Sequence, residues 1–135
     1  AGGVAWSVGP HPGGRWETGV PEFAVRLGDL IRRIETALFG TRPSAAFPTP
    51  AGTTLRSARV VGTESLDGLT TYVHVLWPPQ GKDLALPAPA DGRTFTQAAL
   101  LGGGGIGLSQ NAGEVRLRLG DGRTWDLVDT VVVLK

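Results

Sequence analysis

The sequence contains no cysteine and no methionine among its 135 residues. Without cysteine there is no disulfide framework, no thiolate nucleophile and no Cys-ligated zinc. Methionine is missing even at position 1, where the chain has Ala1, so the sequence reads as a processed or cropped piece. No apolar run approaches the roughly eighteen residues that span a bilayer. The first residues also lack the basic start and long apolar core of a signal peptide. Charge is balanced, with 13 Lys and Arg against 12 Asp and Glu. No basic stripe with interleaved aromatics appears, so neither nucleic acid nor a membrane is an expected partner. His11 and His74 are the only histidines, and neither a metal site nor a cofactor is expected.

Gly and Pro are plentiful instead, 21 and 10 residues. They are spread as turn signals, which suits a β-rich domain better than disorder. The pattern changes once, at Gly40-Thr41-Arg42-Pro43. Before it, Val4-Ala5-Trp6-Ser7-Val8 reads as a short strand covered on both faces, bounded by Gly2-Gly3 and Gly9-Pro10. After the turn His11-Pro12-Gly13-Gly14, Pro21 stands at a first helical position with Glu22 behind it. Apolar residues at Phe23, Leu27, Leu30, Ile31, Ile34 and Leu38 then mark one face of an α-helix. Gly40 supplies its C-terminal cap and Pro43 forbids continuation. A strand followed by a helix is half of a βαβ unit, yet residues 43–52 read as a Pro-rich linker.

Strand signals follow over residues 55–61, 70–76, 84–86, 94–101, 106–109, 114–119 and 130–134. Turn markers such as Asp67-Gly68, Asp91-Gly92 and Asp121-Gly122 separate them. Alternation in Thr71-Tyr72-Val73-His74-Val75 and in Val115-Arg116-Leu117-Arg118-Leu119 predicts sheets with one wet face. About seven short strands at this spacing mean an antiparallel sandwich or a barrel, and the sandwich is preferred.

The candidate sites are few. Gly102-Gly103-Gly104-Gly105 lacks the Lys-Ser/Thr of a phosphate loop and no helix follows it, so it reads as a β connection. His74 reads as a solvent-face residue, and Asp126 and Asp129 as solvated turn residues. If the first strand belongs to an α/β fold, Ser7 and His11 at its C-terminal end become candidate substrate-proximal residues. Trp77 and Trp125 lie at strand ends and are candidate sugar-stacking platforms, although a Trp in a small sandwich is more often core. No pair of carboxylates announces itself as a catalytic couple, and no catalytic residue is assigned.

Taken in order, several segments resemble the α-L-fucosidases of the glycoside hydrolases. Gly2-Gly3-Val4-Ala5-Trp6-Ser7-Val8-Gly9-Pro10 is similar to that family's last barrel strand, roughly G-G-N-L-L-L-N-V-G-P, with Gly3 and Ser7 where the pattern has Asn. Pro12-Gly13-Gly14 and Pro21 resemble the entry into its final barrel helix, here with residues 16–20 inserted. Ala37-Leu38-Phe39-Gly40-Thr41-Arg42-Pro43 resembles the helix end A-I-Y-G-T-R-P. Tyr72-Val73-His74-Val75-Leu76-Trp77-Pro78, Ala98-Ala99-Leu100-Leu101-Gly102 and Asp129-Thr130-Val131-Val132-Val133-Leu134 resemble its C-terminal β-sandwich.

The resemblance implies that residues 1–42 are the last strand and helix of a (β/α)₈-type barrel. Residues 43–52 would then be a linker and residues 53–135 an accessory β-sandwich. It further implies a retaining glycosidase whose nucleophile and acid/base lie on barrel segments preceding these residues. The implied partners are the remainder of the barrel and, through the assembled enzyme, a fucosylated glycan. A stand-alone carbohydrate-binding module and a purely structural domain are the competing readings.

Overall fold

A computed structural model describes residues 8–53 and 59–135. The chain divides into two compact units, Ala1–Glu35 and Thr36–Lys135. The strand expected over residues 4–8 lies, but for Val8, outside the described residues.

The first unit contains most of a helix, α1, spanning Val20–Leu38, whose last residues belong to the second unit. Half-buried residues recur at Val20, Leu27, Leu30, Ile31 and Ile34 and lead to the fully buried Ala37, the three-to-four spacing of one helical face. The helix stops at Gly40, whose φ of 66° is the left-handed conformation that terminates helices. The Thr41 hydroxyl adds a bond to the Leu38 carbonyl at 3.0 Å, satisfying one of the carbonyls orphaned at that end.

The second unit is a two-sheet antiparallel β-sandwich. Its strands are β1 (Thr41–Pro43), β2 (Val60–Ser65), β3 (Thr71–Val75), β4 (Asp83–Pro87), β5 (Ala98–Leu100), β6 (Ile106–Gln110), β7 (Glu114–Leu119) and β8 (Thr130–Leu134). One sheet runs β1-β2-β3-β8-β5 and the other β4-β7-β6. Val73 and Val75 of β3 and Val132 and Leu134 of β8 share a core with Leu86 of β4, Ile106 of β6 and Val115, Leu117 and Leu119 of β7. Connections fill the remainder of that core with Phe47 and Phe95, whose rings stack 5.9 Å apart, and with Trp125.

Two expectations change here. β7 alternates as predicted, with Arg116 and Arg118 exposed between buried neighbours, but β3 has no wet face. All five of its residues are buried, Tyr72 and His74 as well as the valines. β3 lies in the middle of the larger sheet, between β2 and β8, and its second face is covered too. Residues 41–47, read from sequence as helix end and linker, are built into the sandwich. β1 pairs with β2 through Thr41↔Ser65 and Pro43↔Thr63. The Ser44 amide donates to the Gly62 carbonyl at 3.0 Å, and Ala46 and Phe47 enter the core.

Candidate functional site

Glu64 of β2 is buried to 1% exposure on the core side of the larger sheet. One carboxylate oxygen accepts from Arg42 Nε at 2.8 Å. The other accepts from the Ala45 amide at 3.1 Å and from Arg93 Nη2 at 3.3 Å. Burial alone would raise the Glu64 carboxyl, but the Arg42 bond, the Ala45 amide and the two guanidinium charges outweigh it and hold it below its ordinary value. Arg93 also donates to Asp91 at 2.6 Å and to the Gly68 carbonyl and Thr71 hydroxyl at 3.1 and 3.2 Å. Both oxygens of Glu64 are thus engaged inside the protein, while the Arg42 side chain also reaches solvent. A polar recess of about 380 Å³ opens beside Arg93. Its Gln110 side chain is likewise engaged, accepting from the Phe95 amide and donating to the Arg93 carbonyl, each at 2.9 Å.

A second buried cluster lies on the opposite face of the same sheet. His74 Nδ1 is 2.8 Å from Asp129 Oδ2, and His74 Nε2 is 3.4 Å from the Thr63 hydroxyl. Both His74 and Asp129 are buried, which corrects their reading as solvent-face and turn residues. The cause is local. The Asp126 amide donates to the Thr130 hydroxyl at 2.6 Å and the Val128 amide to Asp126 Oδ1 at 2.8 Å. This turn folds the chain so that Asp129 points inward just before β8. Hydroxyl, imidazole and carboxylate stand in the order of a nucleophilic triad. The Thr63 hydroxyl, however, donates to the Ala37 carbonyl at 2.8 Å. A hydroxyl committed to a backbone carbonyl beside a buried imidazole ties structure together rather than attacking a substrate.

Of the residues singled out from sequence, Ser7 lies outside the described residues. His11 is exposed in a turn closed by its amide bond to the Arg15 carbonyl at 2.8 Å. Trp77 is 56% exposed just beyond β3. The register Val75↔Thr130 brings the exposed Leu127 and Val128 to the same end of the sheet. Trp125 instead packs in the core, with its indole N–H donated to the Gly81 carbonyl at 2.9 Å. Sequence reasoning missed Glu64, Thr63 and the role of Asp129. Asp129 is 55 residues from His74, and only strand register aligns the two. Among the described residues no group of three or more His, Asp or Glu side chains is placed to hold a metal ion, and no helix is long and apolar enough to cross a membrane. In the first unit, Val8, Val20, Phe23, Ala24 and Leu27 line an open, mainly apolar recess of about 470 Å³.

No protein-family model matches the chain, and no curated protein matches it. Solved structures do. The α-L-fucosidase GH29 of Bacteroides thetaiotaomicron, as a trapped covalent intermediate, superposes with a TM-score of 0.71 at 20% identity, over 95% of this chain and 27% of that one. α-L-Fucosidase isoenzyme 1 from Paenibacillus thiaminolyticus gives 0.68 at 18%, and the Thermotoga maritima α-fucosidase 0.65 at 16%, each over 95% of this chain and 29% of theirs. The chain thus spans less than a third of the length of these structures. Its fold, a β-sandwich preceded by a helix, is that of a portion of the α-L-fucosidases, consistent with their C-terminal portion.

Proposed function

We propose that this chain is the C-terminal part of an α-L-fucosidase-like retaining glycoside hydrolase. On this reading its first unit completes a catalytic barrel, its second supplies the accessory sandwich, and the chain is not catalytic alone. The observation that carries the reading is the backbone likeness over 95% of the chain to a 27% span of an α-L-fucosidase. Carboxylate chemistry agrees with the last point. A retaining glycosidase needs two carboxyl groups about 5–5.5 Å apart flanking the scissile bond. In the sandwich, Glu64 and Asp91 are held by arginines, Asp129 by His74, Asp83 by Arg118 and Asp121 by Lys82. The apolar recess at the start of α1 is a surface that the remainder of the barrel would cover, whether that remainder is the same polypeptide or a second chain. The glycan partner is then fucosylated and is met only by the assembled enzyme.

The test has two arms. The purified 135-residue chain is expected to show no turnover of an aryl α-L-fucoside. The coding sequence preceding Ala1 is expected to hold further βα units, and a polypeptide carrying them together with this chain to restore turnover. Activity of the chain alone, or no barrel sequence upstream, overturns the proposal. The exposed Trp77 favours a second reading, in which the sandwich also binds carbohydrate by ring stacking. On that reading calorimetric heats with a glycan vanish in Trp77→Ala; unchanged heats leave the sandwich a scaffold.

A further inference from the structure

We infer that Asp121, in the connection from β7 to β8, is a site of isoaspartate formation, made by attack of the Gly122 amide nitrogen on the Asp121 side chain. Three Asp-Gly pairs punctuate the sandwich: Asp67-Gly68, Asp91-Gly92 and Asp121-Gly122. Each glycine takes the left-handed turn conformation, with φ of 74°, 75° and 72°. A glycine after the aspartate also leaves the attacking nitrogen without a neighbouring Cβ to hinder it. In sequence the three pairs are therefore alike. The fold separates them.

The reaction needs a nitrogen and a carboxyl that are both free to approach each other. At Asp67 neither is. The Gly68 amide donates to the Ser65 carbonyl at 2.9 Å. The Asp67 carboxylate accepts from the Ser65 hydroxyl at 2.5 Å and from the Leu69 amide at 3.0 Å. Asp91 is tied in the same way. The Gly92 amide donates to the Pro89 carbonyl at 3.0 Å, and the carboxylate accepts from the Arg93 amide at 3.2 Å and from Arg93 Nε at 2.6 Å. At Asp121 the Gly122 amide has no acceptor among the described residues. The Asp121 side chain is fully exposed, and its one hold is Lys82 Nζ at 2.6 Å. An ion pair on the surface is a weak restraint.

Atoms balance with water as the only other reactant. The Gly122 nitrogen bonds to Asp121 Cγ. The hydroxyl of the neutral carboxyl leaves as water with the nitrogen's hydrogen, and a cyclic succinimide results. Water then adds to one of the two ring carbonyls. Opening between Cγ and the nitrogen restores aspartate. Opening between the main-chain carbonyl carbon and the nitrogen leaves the chain running through the side chain, one methylene longer between Gly120 and Gly122. Nothing is oxidised or reduced, and the product has the composition of the original chain. Lys82 acts as a brake, because its hydrogen bond and charge hold the Asp121 carboxyl below its ordinary value and so deplete the neutral form.

The experiment incubates the full chain in mildly acidic buffer, folded and in denaturant, until the denatured chain carries isoaspartate at all three pairs. Trypsin cuts after Arg59, Lys82, Arg93, Arg118 and Arg123, so each pair falls in a peptide of its own. Methyl transfer by a protein-isoaspartate methyltransferase then counts isoaspartate in each peptide. In the folded chain the 119–123 peptide is expected to carry about ten times the label of the other two, because those sites must first break additional hydrogen bonds. In denaturant the three are expected to be labelled comparably. Equal label on the three folded sites, a lead by Asp67 or Asp91, or no label at Asp121 of the folded chain overturns the inference. These outcomes are read on the unsubstituted chain. Lys82→Gln is expected to raise the label on the 119–123 peptide severalfold, and an unchanged rate overturns the role of Lys82.

Discussion

Glu64 keeps its charge inside the sandwich because three donors converge on it, and the arrangement has a sign that can be measured. Replacing it by Gln leaves Arg42 without its counter-charge and Arg93 with Asp91 alone, and the expected loss is about 1–3 kcal/mol in denaturant unfolding, since both arginines reach solvent. The same residue contributes to acid sensitivity. Its folded-state carboxyl is held below the ordinary 4.5, so the unfolded chain binds the proton first. The stabilisation is full above that value and is lost as pH falls through the folded one. The acid limb of a stability–pH curve should therefore be shallower in Glu64→Gln. In the core proper, Leu117 is fully buried, and Leu117→Ala is expected to cost about 2–5 kcal/mol in the same measurement. Leu117 was legible in sequence from the alternation around it. His74 and Asp129 were not, because polar residues signal solvent until a partner is known, and their partnership is made by register alone.

At the scale of elements, α1 and most strands follow from periodicity and turn chemistry, while β1 was hidden by its own composition. Pro43 reads as a linker residue, yet proline is tolerated on a sheet edge, and β1 is an edge strand. The first strand signal, over residues 55–61, falls mostly on residues not described; the observed strand, β2, runs Val60–Ser65. β5 is shorter than the signal over residues 94–101, since Phe95 turns into the core and the amides of Thr96 and Gln97 bond instead to the Lys135 carbonyl. The segment after β1 packs so closely on β2 that Gly62 has no room for a side chain. A Cβ there would meet the Phe47 carbonyl oxygen at 2.8 Å and Ser44 Cβ at 2.9 Å. Gly62→Ala is expected to destabilise by about 1–3 kcal/mol, the usual cost of overpacking. A thermal melt with no loss of midpoint would show that residues 44–47 yield instead.

For the molecule as a whole, the antiparallel sandwich was legible in strand spacing, and its likeness to a fucosidase portion in the order of weak motifs. The membership of residues 41–47 was not, because only their pairing partners reveal it. Among the described residues the core draws on Ala46 to Leu134, all of the second unit. A polypeptide of Thr36–Lys135 is expected to unfold cooperatively and to keep the near-ultraviolet signal of the buried Trp125; loss of that signal would mean that the first unit is needed. The order β1-β2-β3-β8-β5 bears on how such a chain is made. β3 receives its second neighbour only when β8 has been synthesised, some 55 residues later. Until then a nascent chain presents β3 as an open, apolar edge, able to accept a foreign strand. The two pairings of β8, with β3 and with β5, are therefore the sheet's last to close, and until β8 leaves the ribosome the nascent chain stays open to a foreign strand.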